Sequence, residues 1–177
     1  MLSYNQLVDI VRRGIISPVK MENINATSID IHLGPNIIIE KNRVKGQYVD
    51  PKKRENFPNE SLFVEGCYEL LPGEFVLGHS VELFSLPNNI SAEFRLKSSG
   101  ARSGLNNLFA CHCDAGWHGS TLTIELHNVL RFTKIRLTPG MAIGQMIFHE
   151  HEPVPDDASY AARGRYNNDK GVSTVKF

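Results

Sequence analysis

The sequence predicts an all-β fold, a sandwich or a barrel, entered through one helix. Two observations carry this. Helical periodicity is confined to about the first fifteen residues, and beyond it short β-branched or alternating runs recur between Gly, Pro and Asn punctuation. These runs are not interleaved with helical patterns, which argues for antiparallel pairing and against a βαβ chain. At 177 residues and 41% hydrophobic content, residues 1–177 have the length of one domain. Such a domain buries roughly 70% of the surface its unfolded chain exposes.

Ser3 and Gln6 stand at capping-box spacing, Leu7, Ile10, Val11 and Ile15 share a face, and Gly14 is a natural stop. A helix is therefore expected over about 3–13. Residues 28–33 alternate polar and apolar up to Gly34-Pro35, and 36–40 are a β-branched run. The span 41–61 is dense in Lys, Arg, Asn and Pro, the composition of a long surface excursion. Strands are then expected at 67–71, 75–83, 90–96, 108–113, 121–126, 133–137 and 141–149. From Pro153 the chain turns polar, with Arg163, Arg165, Lys170 and Lys176 beside Tyr160 and Tyr166. Residues 153–177 read as a flexible arm, either a frayed terminus or a strap that orders over a ligand or a neighbouring subunit.

Nineteen Lys and Arg balance nineteen Asp and Glu. A nucleic-acid binder carries a clear basic excess, so zero net charge points away from that class; a small anionic ligand needs only a few local cations. Cys67, Cys111 and Cys113 form no disulfide framework. The first fourteen residues include Asp9, Arg12 and Arg13 and lack an apolar h-region, and no window nears the roughly eighteen apolar residues of a membrane span. A soluble cytoplasmic protein with no membrane partner is expected.

Three clusters carry candidate chemistry. Residues 95–104, Arg-Leu-Lys-Ser-Ser-Gly-Ala-Arg-Ser-Gly, set two hydroxyls between cations beside glycine. Amides of a Gly-rich turn, with Lys97, Ser98, Ser99 and Arg102, would cradle a polyphosphate; the same composition also suits a solvated turn between strands. The P-loop pattern is absent. Residues 110–119, Ala-Cys-His-Cys-Asp-Ala-Gly-Trp-His-Gly, place Asp114 in a tight turn beside the only Trp, as a sugar or base contact would require. Cys111, His112, Cys113 and His118 raise the question of zinc. Their spacing is not that of a structural site, and strand alternation sends both cysteines away from His112, so the cysteines are expected to be small buried hydrophobes.

The third cluster, 121–128, reads Thr-Leu-Thr-Ile-Glu-Leu-His-Asn. Alternation puts Leu122, Ile124 and Leu126 on one face and Thr121, Thr123, Glu125 and His127 on the other. In an ordinary sheet Glu125 is solvated. In a barrel mouth or a subunit interface it is desolvated, its pKa rises and it can shuttle protons.

In this order, and over essentially the full chain, these clusters resemble the dCTP deaminase family of the dUTPase-like superfamily. The matching stretches are 24–34 (Ile-Asn-Ala-Thr-Ser-Ile-Asp-Ile-His-Leu-Gly), 97–105, 114–119, Glu125-Leu-His-Asn128, 139–148 and a tail with Tyr160, Arg165, Tyr166 and Gly171. The resemblance implies a distorted β-barrel of jelly-roll type, assembled as a homotrimer with active sites between subunits. It implies hydrolysis of dCTP to dUTP and ammonia without zinc, and the zinc-deaminase signature is indeed missing from the sequence.

By the same resemblance, Glu125 is the proton shuttle, Ser98 and the Ala110 carbonyl hold the attacking water, and Arg102 balances developing negative charge. Lys97, Ser99 and Arg102 meet the triphosphate, with Mg²⁺ bridging its oxygens and no metal held by the protein itself. Asp114 sits at the deoxyribose. The backbone at Thr123 and Ile124 reads the pyrimidine edge with Gln145 nearby, and Tyr160, Arg165 and Asp169 belong to the closing tail.

Four positions depart from the family pattern. Six steps rather than five separate Gly119 from Glu125, which requires a bulge near 120–121 if Glu125 is to keep its face. Asp169 stands for a usual Gln, Lys97 for a usual Arg, and His32 for a usual Arg. The principal expectation is a deaminase that forms dUTP. The alternatives are a bifunctional enzyme that forms dUMP and pyrophosphate, a dUTPase (which has no use for Glu125), a non-catalytic nucleotide-binding regulator on the same trimer, and a capsid-like or lectin-like jelly roll.

Overall fold

The computed structural model of the chain describes residues 1–41, 48–110 and 112–176. Helix α1 (Tyr4–Arg12) starts at the expected box: Ser3 N–H and Oγ both donate to Gln6 Oε1, at 3.0 and 2.9 Å. Its Leu7, Val8 and Ile10 are buried, and Gly14 ends it at φ +72°. Strands follow as β1 (Ile16–Ser17), β2 (Ile29–His32), β3 (Asn36–Glu40), β4 (Asn59–Phe63), β5 (Tyr68–Leu70), β6 (Phe75–Ser85) and β7 (Ile90–Leu96). After the short helix α2 (Ser98–Arg102) come β8 (Leu105–Asn106), β9 (His112–Cys113), β10 (His118–Asn128), β11 (Ile135–Leu137) and β12 (Ala142–Glu150), and then the single turn α3 (Tyr160–Arg163).

One antiparallel sheet runs β4-β3-β6-β10-β8, with β1 also on β6; the second runs β2-β12-β7-β9, and β5 pairs with β11. The two sheets enclose a shared apolar core and give the expected jelly-roll barrel. Ile124 and Leu126 of β10, Phe84 of β6, Ile29 and Ile31 of β2, Phe94 of β7, and Met146 and Phe148 of β12 are fully buried there. Each such side chain contributes about 1.5–3 kcal/mol. Among the described residues, no helix is long and apolar enough to cross a membrane.

Three expectations shift. The Gly-rich turn after Lys97 is the helix α2. The strand expected over 108–113 shrinks to β9, because Leu108 and Phe109 take φ +53° and +61°, outside the β region. β4 emerges at the end of the expected excursion, where it pairs with all of β3; residues 42–47 of that excursion lie outside the described residues, as does Cys111. The bulge is present where the residue count demands one. Register between β10 and β6 shifts between His118 and Ser120 and again between Thr121 and Thr123. Gly119, at φ +66°, occupies the first of these irregularities.

Gly34 lies against the imidazole of buried His79, so a Cβ there would overlap the ring. Gly34→Ala should cost about 1–3 kcal/mol, read as a lower denaturation midpoint. Burial holds His79 below the usual histidine pKa, opposed by its contact with the Ser80 carbonyl at 2.8 Å. Its contribution to stability is therefore present above the ordinary 6.5 and lost as pH falls below it.

Candidate active site

Alternation along β10 turns Leu122, Ile124 and Leu126 into the core and leaves Thr121, Thr123 and Glu125 half-buried on the other face. That face walls a cavity of about 590 Å³, a size suited to a nucleotide. Glu125 enters it with a buried Oε2 that has no hydrogen-bond partner among the described residues. Burial raises its carboxyl pKa above the ordinary 4.5, opposed by a hydrogen bond to its own backbone. A desolvated carboxylate with a free oxygen is a competent proton acceptor.

Ala110 lines the same cavity. The two residues before it, Leu108 and Phe109, are both left-handed, a costly conformation for bulky side chains. The Leu108 N–H is tied to Asn106 Oδ1 at 2.9 Å. Asp114 stands exposed at the rim, its Oδ1 3.3 Å from His112 Nε2. Trp117 is buried instead of free for a base: it stacks on Phe84, with centroids 5.3 Å apart, and its Nε1 donates to the Tyr166 carbonyl at 2.9 Å.

The C-terminal arm crosses this cavity on its own chain. Tyr160 N–H donates to Ala115 O at 2.9 Å, and Thr121 N–H to Asp169 O at 3.0 Å. Thr121 Oγ1 donates to Gly171 O at 2.8 Å, and Ser173 N–H reaches Thr123 Oγ1 at 3.3 Å. Burial raises the pKa of the Tyr160 phenol. Asp169 pairs within the arm with Lys176 at 2.9 Å, and that ammonium also sits 5.4 Å from the Tyr166 ring centroid.

The cavity thus gathers Ala110, Asp114, Thr123, Glu125, Tyr160 and Asp169. Ile124 can offer only backbone, since its side chain is fully buried. Lys97, Ser98, Ser99, Arg102, Gln145 and Arg165 lie outside it. Ser98, Ser99 and Arg102 are exposed on α2. Lys97 Nζ contacts Asp30 Oδ2 at 2.6 Å, and Gln145, opposite Asp30 in register, accepts from Ser28 Oγ at 2.9 Å. His32 lies against buried Glu82: Nδ1 is 2.7 Å from Oε1, and the backbone N–H donates to Oε2 at 3.0 Å. Among the described residues, no three His, Cys, Asp or Glu converge to hold a metal ion.

Sequence reasoning missed one wall. Val49, Pro51, Arg54, Glu55, Asn56 and Phe57 line the cavity, although their polar composition reads as surface loop. The one signal was Phe57, an aromatic in a polar segment, which packs edge-on against Phe75 at 5.9 Å.

Residues 1–151 match the family model described as dCTP deaminase-like, and the chain belongs to that family. A protein of Methanoregula boonei named "dCTP deaminase, dUMP-forming" is 33% identical over 97% of this chain and 94% of its own length. A Methanospirillum hungatei protein of the same name is 36% identical, over 97% and 93%. Among solved structures, the 2'-deoxycytidine 5'-triphosphate deaminase of Agrobacterium tumefaciens superposes with a TM-score of 0.65 at 18% identity. The match covers 90% of this chain and about half (51%) of that one. A dUTPase of phage 80alpha reaches 0.50 at 13% identity, over 78% of this chain and 86% of its own. At these identities the structural matches speak to fold alone.

Proposed function

We propose that the chain hydrolyses dCTP to dUMP, ammonia and pyrophosphate in the cytoplasm, with Glu125 as proton shuttle. The observation that carries this is the desolvated Glu125 carboxylate, one oxygen unpartnered, in a nucleotide-sized cavity. The name shared by the relatives, "dUMP-forming", favours this product over the dUTP expected first.

Water adds to cytosine C4 as Glu125 takes its proton. The proton passes to N3, a second one reaches the amine, the C4–N bond breaks, and ammonia leaves a uracil carbonyl. A second water then attacks phosphorus and breaks the P–O bond to pyrophosphate. Ala110 O and Ser98 hold the first water and Arg102 stabilises the tetrahedral centre. Asp114 meets the deoxyribose, and Thr123 and Ile124 the pyrimidine edge with Gln145 nearby. Lys97, Ser99 and Arg102 meet the triphosphate, while Tyr160, Arg165 and Asp169 close over it.

Ser98 and Arg102 do not line the Glu125 cavity of their own chain, so in this reading a second copy supplies them and the working unit is a homotrimer. A Mg²⁺ ion carried by the triphosphate fits these residues. Lys97, Ser99 and Arg102, the residues that meet the phosphates in this reading, are cations and a hydroxyl, and among the described residues no carboxylate or imidazole cluster competes for the ion. Bound there, it would supply charge neutralisation to the triphosphate.

The test is incubation with dCTP and Mg²⁺, with products resolved by ion-pair chromatography. dUMP and pyrophosphate without lasting dUTP support the reading. Accumulating dUTP establishes a deaminase alone, and untouched dCTP that is nevertheless bound points to the regulator.

A further inference from the structure

We infer that Asn56 is a positioning residue that latches the C-terminal arm across the cavity. What the arm encloses rests on the proposed hydrolase reading; the latch itself does not. Asn56 Nδ2 donates to Val175 O at 3.1 Å, and Val175 N–H donates back to Asn56 Oδ1 at 2.9 Å. One side-chain amide thereby satisfies both backbone groups of an arm residue, as a strand partner would.

The segment that carries Asn56 is itself braced. Asp50 Oδ1 accepts from Lys52 N–H at 3.0 Å, Asp50 N–H donates to Glu55 Oε2 at 2.9 Å, and Phe57 packs on Phe75. At Ser173 the arm is fixed to Thr123 of β10, and at Val175 to Asn56; Thr174 lies between these points, and all three residues line the cavity. Asn56 is therefore the anchor that turns an arm lying on β10 into a strap bridging two walls. A strap anchored at both ends restricts water and holds a ligand; anchored at one end it swings free.

Asn56→Ala should raise amide exchange at Val175 by about tenfold. Exchange in β6 and β10 and the thermal midpoint should stay unchanged, as a general loss of structure would not allow. KM for dCTP should rise severalfold with a smaller change in kcat. Deleting residues 174–177 should reproduce the KM effect, and Asn56→Ala should add nothing in that background. Unchanged arm exchange in Asn56→Ala, or a full additional effect in the truncated chain, overturns the latch. Arm exchange that responds as expected in a protein inert towards dCTP upholds the latch and rejects the hydrolase reading.

Discussion

Glu125→Gln should slow deamination by about a thousandfold or more while nucleotide affinity, measured by calorimetry, stays close to wild type. The amide keeps the size of the side chain but cannot accept the proton of the attacking water. Wild-type turnover should fall on the acid side at a pKa above the ordinary 4.5, because burial favours the neutral acid and the carboxylate is the working form. The same substitution should stabilise the fold. Between 4.5 and its raised value, folded Glu125 binds more protons than the unfolded chain does, so its contribution to stability declines as pH rises. The gain from Gln is thus expected at alkaline pH and should vanish below 4.5. Turnover that survives in this variant removes Glu125 from the chemistry.

Mixing two inactive variants should restore activity. Glu125→Gln and Arg102→Ala each destroy every site in a homotrimer whose sites draw Glu125 from one chain and Arg102 from the next. Randomly mixed trimers place an intact Glu125 beside an intact Arg102 in about a quarter of sites. Co-expression with two affinity tags and tandem purification leaves only mixed trimers, each with one intact site in three, so assay with dCTP should return about a third of wild-type turnover. An inactive mixture would show that both residues must come from one chain.

The parts of the site that were legible in the sequence are those set by local pattern. Alternation over 121–128 announced which face of β10 would carry Glu125, and counting from Gly119 announced a bulge, which Gly119 accommodates at positive φ. The helix start at Ser3 was likewise written in a four-residue spacing. The rest is made by contacts distant in sequence. Asn56 meets Val175 across 119 residues, and no period or turn residue marks that meeting. The pairing of Asp169 with Lys176 is likewise set by the path of the arm and not by local pattern. Leu108 and Phe109 look like strand by composition, yet both take left-handed backbone, which no local pattern announces. Trp117 stood out only as the single Trp beside Asp114, and its stacking on Phe84 is a contact that no local pattern announces.

The most direct test of the account is to measure ammonia and pyrophosphate together in one reaction of the purified protein with dCTP and Mg²⁺. Both should appear, in equal amounts and in step. Pyrophosphate without ammonia, or neither product from a protein that binds dCTP, would contradict it.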